Sequence, residues 1–481
     1  MEIIKKQTLS ETFSVYFDKR MIRILLLGII SGFPWVIIGS SLSLWLKEDG
    51  LSRSTIGWAG LIFGVYAINY LWAPIIDRIR IPWLTGKIGH RRGWIVTMQF
   101  IILASLVCWS VVDPTTNLAL VITIGLIIAI ASTTQDITVD ALRIEQIGEN
   151  EGTSMQAGAA MAVVGWWTGY KLGGVIALLT AELFQKGNLI LALDIPYKWL
   201  QFLSFNFNIS VNPVENYWQT TFLVLGLIVI ACNIGLMFVH EEQPTERQMT
   251  QKQTDQMIEE KLGFSGIFAK TAAWVSGTIA GPIISFFKRN GFKIALGILA
   301  FIFLFKIGEA FLGRMSIIFY KEIGFSKGDI ALYSKGIGWI TTVLFTLMGG
   351  LFAIRAGVVE AMFVSGVLMA ATNLLFAALA WSGKSELLFA VAVLLDDIAA
   401  AFATVAFVAF ISLLVDRTYT ATQYALLASI GTLGRTMLAS SSGQLVDWLN
   451  GDWGIFFVIT SVMVIPSLIL LWFIRNKLKL Q

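Results

Sequence analysis

Residues 131–145 read ASTTQDITVDALRIE and follow an unbroken apolar run, 118–131. Asp136 and Asp140 stand one helical turn apart, with Gln135 beside the first. A carboxylate in hydrocarbon is costly, so it persists where it meets water, a partner charge or a substrate. The same criterion picks out Lys171, the i,i+3 pair Lys306 and Glu309, Lys335, the neighbours Asp396 and Asp397, and Arg435, all inside apolar runs. Two kinds of chemistry follow. A carboxylate that can be protonated takes up a proton on one side of a barrier and releases it on the other; Asp136, Asp140, Glu309 and Asp396 are the candidates. A buried cation holds an anionic ligand, and an arginine can grip a carboxylate or phosphate with two parallel hydrogen bonds; Lys171, Lys306, Lys335 and Arg435 are the candidates, with Gln135 and Gln423 as uncharged helpers. The competing account is that these groups pair with one another and only hold helices together. Trp166, Trp167 and Tyr170 could stack on sugars, although a tryptophan in a membrane helix more often packs or anchors at an interface.

The elements that must position these groups are membrane helices. The 481-residue chain is 56% hydrophobic and only 14% charged, outside the range of soluble globular proteins. A helix crosses a bilayer with roughly 20 mostly apolar residues. Twelve such runs are found, at about 22–46, 55–76, 93–112, 117–142, 153–180, 217–239, 293–315, 329–354, 358–381, 386–414, 422–446 and 453–474. The expected class is therefore an all-α membrane protein with twelve transmembrane helices in two six-helix halves. Most of the 35 Lys and Arg fall on the side of both termini, which assigns that side to the cytoplasm. The apolar segment 264–287 is read as an interfacial helix on that side. The long connection 183–216 is read as lying along the opposite membrane surface. Cys108 and Cys232 lie inside apolar runs, and His90 and His240 lie at loop edges far apart, so a disulfide, a metal centre or histidine-based catalysis is not expected. No GxxxxGK[ST], GxSxG or metal-spaced Cys/His set is present. Neither an enzyme, a cofactor nor a nucleic-acid partner is indicated.

The chain repeats itself. LKEDGLSRSTI (46–56) and YKEIGFSKGDI (320–330) share Lys-Glu, Gly, Ser and Ile at a constant offset of 274. The polar stretch 240–263 separates the copies. The expected division is 1–239, 240–290 as a linker, and 291–481, the plan of transporters that rock two bundles about a central site. Gly165, Gly169 and Gly173, four apart, predict a helix-packing seam, with Lys171 pointing away from it.

SGFP (31–34), LWAPIIDR (71–78), GHRRGW (89–94), TQDITVDA (134–141), KIGEA (306–310) and ATQYALLASIGTLGR (421–435) together resemble the AmpG muropeptide permease family, within the major facilitator superfamily. The resemblance implies a proton-coupled symporter, acting as a monomer in the bacterial inner membrane. It would import N-acetylglucosaminyl-1,6-anhydro-N-acetylmuramyl peptides from periplasm to cytoplasm for peptidoglycan recycling, and such fragments can induce β-lactamase. It places Gln135, Asp136 and Asp140 in the fourth span, Lys306 and Glu309 in the seventh, Lys335 in the eighth, and Gln423 and Arg435 in the eleventh among the family's functional positions, and makes Asp77 and Arg78 gating residues. The alternatives are a carrier of another anionic conjugate such as acetyl-CoA, or a membrane receptor that transports nothing.

Overall fold

The computed structural model describes residues 14–51, 59–148, 151–193, 205–241, 253, 280–325, 337–439 and 441–478. Lys335, the linker residues 254–279 and much of the 264–287 segment lie outside them.

Helices correspond to all twelve apolar runs. They are α1 (Lys19–Glu48), α2 (59–78), α3 (His90–Trp109), α4 (Leu118–Glu145), α5 (Gly152–Lys186), α6 (Tyr217–Leu236), α7 (Phe292–Leu304 continued by Ile307–Ile323), α8 (Ile337–Ala356), α9 (Val358–Ser382), α10 (Glu386–Leu414), α11 (Thr420–Ala439) and α12 (Trp453–Val462 continued by Ile465–Ile474). Among the described residues, nine helices are long and apolar enough to cross a membrane by length and composition. In hydrocarbon every backbone group must find a partner within the chain, which is why apolar runs of this length become helices. Several are irregular. α1 carries a π-helical turn at Ile37–Ser41, just after Pro34, which lacks the N–H that a regular helix needs. α2 alternates short α and 3-10 turns before Ala73–Arg78. α7 is interrupted at Phe305–Lys306, so Lys306 sits at the break.

The chain alternates between two faces, one carrying the start of α1 and the other the connection after α5. Within the connection after α5, Asn188–Leu193 pairs antiparallel with Phe205–Ser210, Asn188 opposite Ser210. Backbone pairing satisfies the N–H and C=O groups that an extended segment would otherwise leave open.

The repeat is geometric as well as sequential. Gly50 and Gly324 both take φ near the left-handed region, +82° and +98°. Each closes its helix with the same bond, Leu51 N to Leu46 O and Phe325 N to Tyr320 O, both 3.0 Å. Each preceding glutamate receives an indole N–H, Glu48 from Trp218 and Glu322 from Trp453, both at 2.6 Å. These tie α1 to α6 and α7 to α12 at the hairpin face.

Helix crossings repeat too. A Cβ on Gly169 of α5 would lie 2.3 Å from Ile29 O of α1, and one on Gly434 of α11 would lie 2.3 Å from Phe303 O of α7. Ile29 and Phe303 are again 274 apart. The expected glycine seam of α5 is present, packed against Gly28 and Gly32 of α1.

Candidate functional site

The charged groups fall into three sets. The first is in the N-terminal half. Ser31 Oγ of α1 donates to Asp136 Oδ1 of α4 at 2.7 Å. Gln135 is fully buried, and its Nε2 donates to Ile30 O at 2.9 Å, so it ties α4 to α1. Around them run Tyr66 OH to Ser132 Oγ (2.7 Å), Asn69 Nδ2 to Thr133 Oγ1 (2.9 Å) and Trp72 Nε1 to Thr134 Oγ1 (3.0 Å), which bind α2 to the same stretch of α4. Asn69 Oδ1 also accepts from Ser429 Oγ of α11 at 2.9 Å, across the two halves.

The second set is in the C-terminal half. Lys306 Nζ lies 3.3 Å from Glu309 Oε2 and donates to Thr404 Oγ1 of α10 at 2.8 Å. Thr372 Oγ1 of α9 donates to Asp396 Oδ1 of α10 at 3.1 Å. Arg435 and Asp396 both act electrostatically on Lys306, and Glu309 on Asp396. Three helices, α7, α10 and α11, thus bring together Lys306, Glu309, Asp396 and Arg435. Lys171 of α5, in the opposite half, stands over the Trp167 ring at 5.2 Å and interacts electrostatically with Asp397, the neighbour of Asp396.

The third set lies at the face of the chain termini and joins the halves. Arg91 is fully buried and holds Asp77 at 2.6 Å and Glu145 at 3.0 Å. Asp77 in turn accepts from Thr422 N (2.8 Å), Thr422 Oγ1 (2.5 Å) and Ala421 N (3.3 Å), so it caps the start of α11. Arg143 pairs with Asp140 at 3.2 Å, donates to Ser412 Oγ at 3.1 Å and faces the Tyr424 ring at 5.3 Å. Arg417 donates to Ile144 O and Gly148 O. The start of the linker enters the same set. Glu241 accepts from Arg91 N (2.8 Å) and Arg92 N (3.0 Å) and so caps α3. Burial pushes the Glu241 carboxyl above the usual carboxylate range, and these two N–H groups draw it back down.

Several expectations change here. The partner of Asp77 in the lock is Arg91, with Arg78 half-buried beside it. Asp140 belongs to the third set, paired with Arg143, while Asp136 one turn away is held by Ser31; the two carboxylates still act on each other electrostatically. Gln423 is buried, donating to Pro282 O of helix 280–290 at 2.9 Å and accepting from Asp416 N of the α10–α11 connection at 2.7 Å, so both ends of its amide are used. Gln135 likewise spends its donor on α1. Neither reaches the midplane cluster. Arg91, Arg143 and Glu145 escaped sequence reasoning because they lie where helices end, as ordinary loop charges do; the signal was the density of charge in ALRIE and HRRG.

Comparisons with known proteins bear on the fold and on the likeness of the whole chain. No family model matches the chain. It is 29% identical over 463 residues to a protein of Rickettsia conorii named as transporter AmpG 4, covering 96% of this chain and 98% of that one. It is 26% identical over 471 residues to the anhydromuropeptide permease of Escherichia coli K12, covering 98% and 82%. The xylose–proton symporter XylE superposes with a TM-score of 0.61 at 14% identity, over 96% and 95% of the two chains. The transporter FucP in its outward conformation gives 0.62 at 13% identity, over 96% and 99%. The fold is that of the major facilitator transporters, and the likeness to proteins named AmpG or anhydromuropeptide permease extends over nearly the full length.

Proposed function

We propose that this chain is a proton-coupled permease that imports anhydro-muropeptides across the bacterial inner membrane, with both termini in the cytoplasm, working as a monomer and catalysing no reaction. Residues 1–239 and 291–481 are its two moving halves, and 240–290 their connection. The observation that carries the reading is the cluster Lys306, Glu309, Asp396 and Arg435, with Lys171 of the other half acting on the adjacent Asp397. Two cations and two carboxylates brought together from three helices make a site that can hold an anion and exchange protons.

In the cycle, the lock at the termini face (Asp77, Arg91, Glu145, Arg143) keeps that side closed while the site is open to the hairpin face. An anionic muropeptide binds Lys306, Arg435 and Lys171, and protons load Asp136, Glu309 or Asp396. Loading removes negative charge from the midplane and lets the halves close around the substrate. The lock then parts, and substrate and protons leave to the cytoplasm. A proton crossing 100 mV contributes about 2.3 kcal/mol, enough for roughly a fifty-fold gradient of a neutral partner. A multiply charged anion moves against that field, so more than one proton per cycle is required, and the site offers more than one carboxylate.

The test is uptake of labelled anhydro-muropeptide into proteoliposomes with an imposed pH gradient. Wild-type protein concentrates the label, and Asp136→Asn loses concentration but retains exchange. Uptake of acetyl-CoA in place of muropeptide, or absence of any gradient-driven movement, defeats the proposal.

A further inference from the structure

The repeat allows position-by-position comparison of the two halves at the site. The 274-residue offset of α1 and α7 sets Trp35 opposite Glu309. The glycines that meet Ile29 O and Phe303 O at the same distance set Gly169 opposite Gly434, and therefore Tyr170 opposite Arg435. One frame thus carries Glu309 and Arg435 in the C-terminal half and Trp35 and Tyr170 in the N-terminal half.

These two rings belong to a continuous aromatic wall. Trp35 packs 4.5 Å from Tyr66 and 5.7 Å from Trp166, and Trp166 lies nearly parallel to Tyr170, 18° apart in plane at 5.4 Å. All are half-buried. The wall rests one turn beyond Asp136 toward the hairpin face, since Tyr66 is anchored at Ser132 and Trp35 follows Ser31 by one turn. It borders the other half: Trp167, 5.1 Å from Trp166, packs in a cluster with Val405 and Val408 of α10, and Lys171 above it reaches toward Asp397. The close crossing of α1 and α5 fixes it, because a Cβ on Gly32 would lie 2.1 Å from Trp166 O.

We propose that the aromatic wall Trp35–Trp166–Tyr170 is the subsite for the pyranose rings of the substrate, and that the charged cluster opposite it receives the peptide carboxylates. This rests on the permease reading and adds the orientation of the ligand. Aromatic faces bind the apolar face of a ring that has no charge to offer, whereas the C-terminal cluster is suited to carboxylate. A ligand with a neutral ring portion and an anionic portion fits both surfaces in one direction only.

The test is competition against labelled anhydro-muropeptide binding to the purified full chain, with neutral N,N′-diacetylchitobiose and the free stem peptide as separate competitors. Trp35→Leu weakens chitobiose competition by about tenfold, equivalent to about 1.4 kcal/mol, and leaves stem-peptide competition unchanged. Arg435→Gln does the reverse, and Trp35→Phe restores chitobiose competition. Tyr170→Leu, on the other helix, repeats the first result and covers the case that Trp35→Leu does not fold. Equal loss for both competitors, or no loss for chitobiose, overturns the subsite while leaving the permease reading intact. Failure of the wild type to bind anhydro-muropeptide overturns both and is recognised by that control alone.

Discussion

The two halves share a scaffold and differ in what they mount on it. At the hairpin face they are alike: Glu48 with Trp218, and Glu322 with Trp453, each beside a glycine with positive φ. At the midplane they diverge, aromatic in one half and charged in the other. At the termini face they diverge again. Gly89 and Gly357, with φ of +105° and +95°, start α3 and α9 in the same way, yet two residues on one carries Arg91 and the other Val359. Arg91 is buried among carboxylates that reach α11, while α9 starts without an arginine at that position. Backbone geometry is thus held constant where the halves are braced, and side chains vary between the faces and where the halves meet. A scaffold conserved in shape and divided in chemistry is what a carrier needs if the two bundles rock alike but grip different parts of one molecule.

That contrast can be broken at several points. The largest effect is expected for Arg91→Ala, which leaves Asp77 and Glu145 buried without their cation; a loss of about 3–5 kcal/mol is expected, read as a fall in melting temperature. Val359→Ala at the counterpart position costs far less, and equal losses would contradict the asymmetry. Next come Gly169→Ala and Gly434→Ala. Each forces a methyl against a backbone carbonyl, and a loss of about 1–3 kcal/mol is expected from either. Similar losses in thermal unfolding support the register used to align Tyr170 with Arg435; a neutral result at one glycine alone would refute it. Trp218→Phe and Trp453→Phe each remove one hydrogen bond to a carboxylate and are expected to cost about 1.5 kcal/mol, again alike in the two halves. The smallest effect belongs to Glu151, which Arg20 holds at 2.9 Å on a solvent-facing edge. Arg20 lowers the Glu151 carboxyl below its ordinary range. Its contribution is therefore present above the ordinary carboxylate range and is lost as acidification passes through the lowered value. Because the pair is screened by water, Glu151→Gln costs about 0.5 kcal/mol at neutral pH, and the difference from wild type vanishes in acid.

Much of this was legible in the sequence. Apolar runs of membrane length fix where helices lie, because the bilayer permits no other backbone arrangement there. Lys47-Glu48 and Lys321-Glu322 revealed the repeat because both copies end a helix on glycine. Lys306, Glu309, Asp396 and Arg435 stood out because charge inside hydrocarbon is rare. Trp35 did not stand out, since the chain has 17 tryptophans and most pack; only its offset from Glu309 singles it out. Gln423 was misjudged because an amide near a helix start looks the same whether it faces a ligand or the carbonyl of a neighbouring segment. The pairing of 188–193 with 205–210 was not foreseen, because NLILAL carries no turn signal of its own. The charge cluster at the termini face was legible only in part: Asp77 stood out, but its contacts to Ala421 and Thr422 and that of Arg143 to Ser412 join positions hundreds of residues apart.

The seat of Glu241 on α3 has a practical corollary. The tether between the bundles is pinned at its first residues, and at the far side helix 280–290 is pinned by Gln423 and by Ser285 on Asp416. An insertion spliced beside Glu241 would therefore pull its carboxylate off Arg91 N and Arg92 N and unseat the start of α3 beside the Asp77–Arg91 pair, an opening at the termini face that lies far from the charged cluster.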